Sequence, residues 1–405
     1  MTTPREDRPL DIIVLGATGF VGRQCVAYLK VHAPPGTRWA IAGRSRERLD
    51  GIAVAEGLPD IERIVVDTSD EPAVVAMAGR CRVLLTTVGP FAKYGSAVLA
   101  ACAAQGTDYV DITGETPWAR RMIEAHHEAA VASGARIVPF CGFDSVPSDL
   151  GVYMMVDWIR KNWSMSTREV RSAFTAKGGF NGGTLDSALT MMERGELRAL
   201  ANPFLLNPPD RRPGPAPDRS QDLRGPLTDP DLGPVAPFFM AAVNTRVVRR
   251  SHAQLAARGA DYGPDFVYQE TMRAPGGAVG GWAITLGMGA FQGLTKKPWG
   301  RSLLRRFAPK PGEGPTAAVM DAGFMSVKFV AEAQDGRKVF GTVSAKGDPG
   351  NRITTLILCE GALCLLLDRA SLPAAAGLLT PASCMAEALT ARLRARGVRF
   401  DVTAP

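Results

Sequence analysis

Short apolar runs alternate with amphipathic stretches over residues 11–140. The apolar runs at 11–15, 39–42, 61–66, 83–88, 109–112 and 136–140 predict strands, and the stretches at 96–105 and 118–133 predict helices. Strands that alternate with helices at this spacing indicate a parallel sheet covered on both faces. We therefore expect an α/β fold that begins with a Rossmann domain, a doubly wound parallel sheet, over residues 1–150.

The pattern changes after residue 162 and predicts a second, α+β domain over residues 151–352. It predicts strands at 168–176 and 265–272 and helices at 149–162, 185–200 and 238–258. Asp335-Gly336 separates two alternating runs and predicts a hairpin. Ten prolines between residues 202 and 237 predict a long irregular loop or lid. Two last helices, at 354–368 and 381–396, are expected to return to the first domain, so that residues 353–405 form a third unit.

A glycine-rich turn directly follows the first predicted strand. Its sequence is Gly16-Ala17-Thr18-Gly19-Phe20-Val21-Gly22. In such a turn Gly16 allows the tight bend, Gly19 lets the backbone approach phosphates, and Gly22 lets helix and strand pack closely. Backbone N–H groups and the positive helix end would then face a pyrophosphate.

The end of the second strand predicts which dinucleotide is bound. NAD sites usually carry an acidic residue there, whereas this chain has Gly43-Arg44-Ser45, with Arg46 and Arg48 following. A guanidinium at this position suits the 2′-phosphate of NADP(H). We therefore predict an NADP(H) site.

Ligands in open parallel sheets bind beyond the carboxyl ends of the strands. After the fourth strand, Gly89-Pro90 would lie near the ribose and nicotinamide, and Lys93 and Tyr94 could reach a substrate. Asp144 follows the sixth strand and could orient nicotinamide or substrate. A capping turn with a solvated Lys93, and an Asp144 that only accepts turn N–H bonds, are the structural alternatives. The predicted catalytic residues are Tyr94, Lys93 and Asp144. The predicted cofactor residues are Gly16, Ala17, Thr18, Gly19, Phe20, Val21, Gly22, Gly43, Arg44, Ser45, Arg48, Thr87, Val88, Gly89, Pro90 and Gly142.

Two further segments carry open alternatives. Ser148 and Asp149 are interpreted as the cap and first turn of a helix. The glycine-rich run at 178–183, next to Lys177, is either an anion site or a flexible connection.

Composition and charge exclude several classes of protein. The seven cysteines form no CxxC motif, so we expect reduced, buried thiols and a cytoplasmic protein. Four badly spaced histidines argue against a metal site. The net charge of +7 is interpreted as spread along the chain, which disfavours nucleic-acid binding. A basic surface that docks an acidic carrier protein or an anionic membrane remains the alternative.

The apolar stretches at 280–294 and 353–367 are too short or too polar to span a bilayer. Both are expected to be buried helices, and the first could instead rest on a membrane surface.

The combination of motifs resembles the saccharopine dehydrogenase-like oxidoreductases, and in particular their trans-acting enoyl reductase branch. The segments that carry the resemblance are 16–22, 42–45, 86–90, 106–115, 141–149, 244–251, 309–315 and 379–382. It implies a Rossmann domain, an inserted domain and a helical return to the first domain. It also implies NADPH-dependent reduction of an enoyl thioester, borne on CoA or on the carrier domain of a polyketide synthase, in lipid biosynthesis.

Two other functions remain open from the sequence. One is reduction of C=N or C=O bonds in a small metabolite, and the other is a non-catalytic NADP-binding sensor or lipid-associated protein. The oligomeric state is open too, with a homodimer as one option.

Overall fold

Two seven-stranded sheets organise the molecule, which a computed structural model describes over residues 4–179, 181–208, 220–307 and 312–404. The strands of the first half are β1 (Leu10–Leu15), β2 (Trp39–Gly43), β3 (Glu62–Val65), β4 (Cys81–Thr86), β5 (Asp108–Asp111) and β6 (Arg136–Val138). Its helices are α1 (Phe20–His32), α2 (Arg46–Ala55), α3 (Glu71–Ala78), α4 (Phe91–Tyr94), α5 (Ser96–Gln105) and α6 (Thr116–Ser133).

The second half begins with a long helix and continues with mixed elements. Its helices are α7 (Val146–Trp163), α8 (Gly182–Glu193), α9 (Ala241–Ala256), α10 (Gly277–Thr295), α11 (Pro298–Phe307) and α12 (Ala317–Asp321). Its strands are β7 (Thr167–Lys177), β8 (Leu227–Asp229), β9 (Gly233–Pro237), β10 (Val267–Arg273), β11 (Phe324–Ala333) and β12 (Lys338–Lys346). The C-terminal elements are α13 (Thr354–Leu367), β13 (Gly377–Leu378), α14 (Pro381–Ala395) and β14 (Arg399–Thr403).

The first sheet has the order β13-β6-β5-β4-β1-β2-β3, and all of its pairs are parallel. Side chains alternate between its faces. Ile12 and Val14 join the core beneath α1 and α13, while Ile13 and Leu15 join the core on the α5 and α6 side. The predicted Rossmann fold is confirmed.

The second sheet is mixed, with the order β14-β12-β11-β7-β10-β9-β8. β7 pairs parallel with β10 and antiparallel with β11, and the predicted hairpin at Asp335-Gly336 joins β11 to β12. Helix α7 packs on the second sheet and against α9 and α14, and one hydrophobic core runs from the first sheet into the second. The predicted helical return is confirmed for α13, which packs on α1, β4 and β5, whereas α14 packs chiefly on α13, α7 and α9.

The proline-rich segment does not form one irregular loop, as the sequence suggested. Residues 209–219 lie outside the described part, but β8 and β9 form an antiparallel pair within the segment. The prolines of the pair, Pro234 and Pro237, lie at or next to the ends of β9, where a missing N–H disrupts the strand pairing least. Both short strands were therefore wrongly assigned to a loop.

Within the described residues, one helix has the length and apolar composition of a membrane span. It covers Pro349–Leu367 and includes α13, and 78% of its apolar window is buried inside the fold. The cysteines are all buried and free, as predicted.

Candidate cofactor and active site

The loops that follow β1 and β4 meet at the point where the strand order of the first sheet reverses. The Thr87 N–H donates to the Leu15 carbonyl over 3.0 Å, and the Thr87 hydroxyl donates to the Gly16 carbonyl over 3.3 Å. Crevices at such reversal points are where open α/β sheets bind dinucleotides. The structure therefore brings the glycine turn together with Thr87 and Val88, two of the predicted cofactor residues.

The glycine turn is closed so tightly that side chains would not fit. Gly16 has a φ of 88°, and a Cβ there would lie 2.8 Å from both Thr87 Oγ1 and Val88 Cγ2. A Cβ on Gly22 would lie 2.0 Å from the Gly16 carbonyl oxygen. Gly19 is the N-cap of α1 and supplies no side chain to cover the first-turn N–H groups. The turn thus leaves the positive end of α1 open to an anion.

The carboxyl end of β2 presents arginines beside this turn. A Cβ on Gly43 would lie 3.9 Å from the side chain of Thr18 in the loop after β1. Arg44 follows Gly43 and is exposed. Ser45 caps α2 by accepting the Arg48 N–H over 3.2 Å, which leaves its own hydroxyl hydrogen free to donate. Among the described residues, the guanidinium groups of Arg44 and Arg48 have no hydrogen-bonded partner, whereas that of Arg46 is bound to Asp50.

These residues fit NADP(H). The open end of α1 and the Gly16–Gly22 backbone would hold the pyrophosphate, and the Arg44 guanidinium would hold the 2′-phosphate. Arg48 and the Ser45 hydroxyl would add donors on the same side.

We expect Arg44→Ala to weaken NADPH binding by about 1.5–3 kcal/mol, the range for hydrogen bonds to charged groups. NADH binding should hardly change, because NADH lacks the 2′-phosphate. Titration of both nucleotides by fluorescence gives the two dissociation constants. Arg46→Ala is the matched control, because Arg46 is already paired with Asp50. An equal loss of NADPH and NADH affinity in Arg44→Ala would contradict this assignment.

A buried carboxylate holds the loop after β4 in place. Glu115 accepts the N–H groups of Phe91 and Ala92, each over 2.8 Å, and the Ser187 hydroxyl over 2.8 Å. Burial raises the pKa of Glu115, and these three hydrogen bonds oppose that rise. Glu115 thereby caps α4, the short helix that carries Lys93 and Tyr94, and ties it to α8 of the second half.

Lys93 and Tyr94 lie on the exposed side of α4. Tyr94 is 42% exposed, and neither side chain has a hydrogen-bonded partner in the described part of the chain. From the carboxyl edge of β4 both side chains could reach a bound substrate. Their catalytic roles stay predictions. The role of Glu115 in placing them was missed. The preceding helix-start signal, Glu115 before Thr116-Pro117, could have suggested a capping residue but not its distant partner.

We expect Glu115→Gln to lower the free energy of unfolding by about 1.5–3 kcal/mol, the range for hydrogen bonds to a charged group. The amide can accept from Phe91 and Ser187, but its NH₂ would then face the Ala92 N–H, which loses its acceptor. Urea unfolding followed by circular dichroism measures the change. Glu47→Gln, on the exposed face of α2, should stay within about 0.5 kcal/mol of the wild type. Equal stability of the two variants would refute the anchoring role.

Asp144 follows β6, and no hydrogen-bond partner faces its carboxyl within the described residues. Burial of the carboxyl raises its pKa to about 6. Asp144 does not accept the N–H bonds of its turn, so that structural alternative is wrong. Gly142 packs near Thr354 and Ile112 instead of the glycine turn. Because β5 lies between β4 and β6, the carboxyl end of β6 is about 10 Å from that of β4.

Asp149 lies in the first turn of α7, as predicted, whereas Ser148 is not the N-cap. Helix α7 begins at Val146 with Ser145 as N-cap, and both side chains point into the core. The Ser148 hydroxyl donates to Glu270 over 2.7 Å, and Asp149 accepts the Ala382 N–H over 2.8 Å. Burial raises the pKa of Asp149 to about 7. These residues link α7 to the second sheet and to α14.

The glycine-rich run after β7 is not an open anion site. The Asp348 carboxylate accepts the Gly179 N–H, and a Cβ on Gly178 would lie 2.3 Å from Asp348 Oδ2. Asn351 donates to the Gly179 carbonyl over 3.2 Å and to Asp348 over 2.6 Å. A carboxylate in this position would repel a second anion, so the small residues serve close packing. Phe180 lies outside the described residues.

A segment near residue 313 closes one side of the crevice, and the sequence analysis assigned it no role. A Cβ on Gly314 would lie 2.5 Å from the Phe20 ring at the start of α1, and the Arg23 guanidinium donates to the Gly312 carbonyl over 2.9 Å. The Glu313 carbonyl accepts the Gly182 N–H over 3.3 Å. The segment thus joins the cofactor helix to the beginning of α8.

Comparisons with known proteins agree with this arrangement. Residues 12–138 match the saccharopine dehydrogenase NADP binding domain family. A Mycobacterium tuberculosis protein provisionally named a trans-acting enoyl reductase is 39% identical, and the alignment covers 99% of this chain and 98% of that protein. A trans-acting enoyl reductase of Mycobacterium leprae is 36% identical over 98% of this chain and 99% of its own. The solved apo saccharopine dehydrogenase of Saccharomyces cerevisiae shares the fold, with a TM-score of 0.55 at 13% identity, over 98% of this chain and 100% of that chain.

Proposed function

The chain belongs to the trans-acting enoyl reductase branch of the saccharopine dehydrogenase-like oxidoreductases, and on that premise we propose that it reduces the C=C bond of enoyl thioesters. Its first domain binds NADP(H), so it is an NADP-dependent oxidoreductase. The proposed substrate is carried on CoA or on an acyl carrier domain, in polyketide or lipid biosynthesis. The observation that carries the proposal is the 36–39% sequence identity with proteins of that name over nearly the full length of both chains.

NADPH, when bound, supplies the hydride that adds to the β carbon of the enoyl group. The protein then has to orient the substrate, exclude water, stabilise the developing enolate oxygen and deliver one proton to the α carbon. The residues that follow β4 and β6 lie at the sheet edge where these tasks are needed.

Tyr94 and Lys93 are assigned to the thioester oxygen. Both are donors, both are free of protein partners in the described residues, and Glu115 fixes the short helix that carries them. Tyr94 Oη and Lys93 Nζ would donate to the oxygen as its negative charge develops. Asp144 is assigned to the proton, because a carboxyl with a pKa near 6 is partly protonated around neutral pH.

The test is an assay with NADPH and a panel of 2-enoyl thioesters of increasing chain length, on CoA and on a carrier domain. Loss of NADPH absorbance together with formation of the saturated thioester is the expected result. Failure with every chain length and carrier would refute the enoyl assignment.

Parallel assays separate the other functions. Turnover only with an amine and a keto acid, or only with a ketone, would assign the chain to C=N or C=O reduction. Tight NADPH binding without hydride transfer to any acceptor would indicate a sensor.

A further inference from the structure

Helices α10 and α11 form an apolar surface that the rest of the described fold leaves uncovered. Of the α10 residues, Gly281 and Thr295 are the buried ones. The exposed fractions of the large apolar side chains on the two helices are 81% for Val279, 55% for Trp282, 66% for Leu286, 38% for Phe291, 63% for Trp299 and 43% for Leu303. The expectation that this stretch is a buried helix is therefore wrong.

The helix pair is attached at one end. Near the start of α10, Gly281 packs so closely on Pro226 that an added Cβ would lie 2.6 Å from it, and α10 runs along β8 and β9. Val279, Trp282 and Leu286 follow at spacings of three and four residues and so share one stripe of the helix. This stripe faces away from the sheet.

The charge of the same segment has one sign. Residues 271–312 contain seven arginines and lysines and no aspartate or glutamate, which equals the whole net charge of the chain, +7. The basic residues are Arg273, Lys296, Lys297, Arg301, Arg305, Arg306 and Lys310. The charge is therefore gathered in one block, and the interpretation that it is spread along the chain is wrong.

We propose that α10 and α11 dock on an anionic lipid bilayer. A helix that presents tryptophan, leucine and valine to solvent, next to clustered basic residues, has the composition of an interfacial membrane helix. Lysines and arginines near a negatively charged surface each strengthen the attachment. α10 itself carries no charged residue, and its many glycines and few long apolar side chains suit partial immersion better than a span.

Other occupants explain less of the surface. Two copies of this chain that met through it would bring ten positive charges together, twice the five that α10, α11 and the residues between them carry. An acidic carrier domain would match the charge but leave Val279, Trp282 and Leu286 without an apolar partner. An anionic bilayer would contact both the apolar stripe and the positive charges.

Docking would also place the proposed active site beside the membrane. Arg301 on α11 lies 3.8 Å from Glu193 at the end of α8, and α8 contributes Ser187 to the Glu115 cluster. The membrane proposal itself does not depend on the enoyl reaction, because vesicle binding is measured without any turnover.

Flotation of the full chain with lipid vesicles tests the proposal. Binding is expected to vesicles of 30% phosphatidylglycerol in phosphatidylcholine, to be much weaker to pure phosphatidylcholine, and to fall as salt is added. Lys296→Gln with Lys297→Gln should weaken binding about 25-fold at low salt, about fivefold for each charge removed. Trp282→Ser with Leu286→Ser should weaken it more than about tenfold by removing apolar contact area.

Val54→Ser is the matched control, because Val54 is an equally exposed apolar residue on α2, away from the basic segment. It should bind vesicles like the wild type, and all variants should keep NADPH affinity as proof of folding.

Absence of flotation with anionic vesicles would overturn the proposal, as would binding that neither pair of substitutions weakens. A sedimentation mass that halves in Trp282→Ser with Leu286→Ser, without vesicle binding by the wild type, would assign the surface to a second copy. Retention by an immobilised acidic carrier domain, without vesicle binding, would assign it to that carrier.

Discussion

Gly22→Ala should lower turnover by about 100-fold or more and weaken NADPH binding in parallel. The new Cβ would lie 2.0 Å from the Gly16 carbonyl oxygen and 2.8 Å from the Gly16 carbonyl carbon, and both are backbone atoms that cannot rotate away. Either α1 must move off the sheet or the turn must open, and displacements of about 1 Å near a reacting centre can cost about 100-fold. Overpacking of this kind also costs about 1–3 kcal/mol of stability.

Isothermal titration with NADPH and thermal unfolding measure the two effects. Gly51→Ala is the matched control, because Gly51 lies within α2 and an added Cβ there meets no atom within 4 Å. That variant should bind NADPH normally and gain about 0.5–1 kcal/mol of stability, since alanine is the better helix former. Normal NADPH affinity in Gly22→Ala would mean that the turn does not position the cofactor.

Asp144→Asn should lower turnover of the enoyl substrate by about 10²–10⁴-fold, the usual contribution of a general acid. The wild-type carboxyl has a pKa of about 6, so its protonated fraction falls tenfold for each pH unit above that value. Activity that depends on this proton should be constant below pH 6 and decline above it. The asparagine variant should lose this decline, because an amide does not titrate. NADPH affinity should be unchanged.

The unfolding free energy provides a second measurement on Asp144 that does not involve catalysis. The folded carboxyl binds its proton more tightly than an unfolded aspartate, whose pKa is about 3.9. The native state therefore holds more protons between pH 4 and 6, and stability falls as pH rises through this window. Relative to Asp144→Asn, the wild type should lose up to about 3 kcal/mol from pH 4 to pH 7. Asp60→Asn, at an exposed position, should follow the wild type in both experiments.

A pH profile of turnover that stays the same in Asp144→Asn would remove Asp144 from the reaction. In that case Tyr94→Phe becomes the deciding variant, since Tyr94 is the other hydroxyl-bearing candidate. A stability difference that does not change with pH would show that the carboxyl is not held out of water.

The first domain was predictable from the sequence because its signals are local. A buried parallel strand is a short run of apolar residues, and the glycine turn and Arg44 follow their strands directly in the chain. The expected strand at 109–112 and helix at 118–133 therefore differ from β5 and α6 by only one or two residues at their ends. The short helix α4 was missed, since its cap is Glu115, 24 residues away from Phe91.

The second domain and the carboxyl edge of the first sheet were harder to predict, because contacts between residues far apart in the sequence determine them. The Gly178–Gly179 backbone is held by Asp348, some 170 residues later, and no local pattern distinguishes that packing from an open anion site. Ser148 and Asp149 have the chemistry of capping residues, but Glu270 and Ala382 are their partners. The exposure of α10 could not be predicted either, because the sequence of an apolar helix is similar whether a protein core or a bilayer covers it.

The final thirty residues supply one border of each sheet. β13 completes the edge of the first sheet beside β6, and β14 completes the edge of the second beside β12. Neither sheet reaches its full width until residues 377–403 are in place. A fragment that lacks them would expose β6 and β12 as unpaired edges open to aggregation.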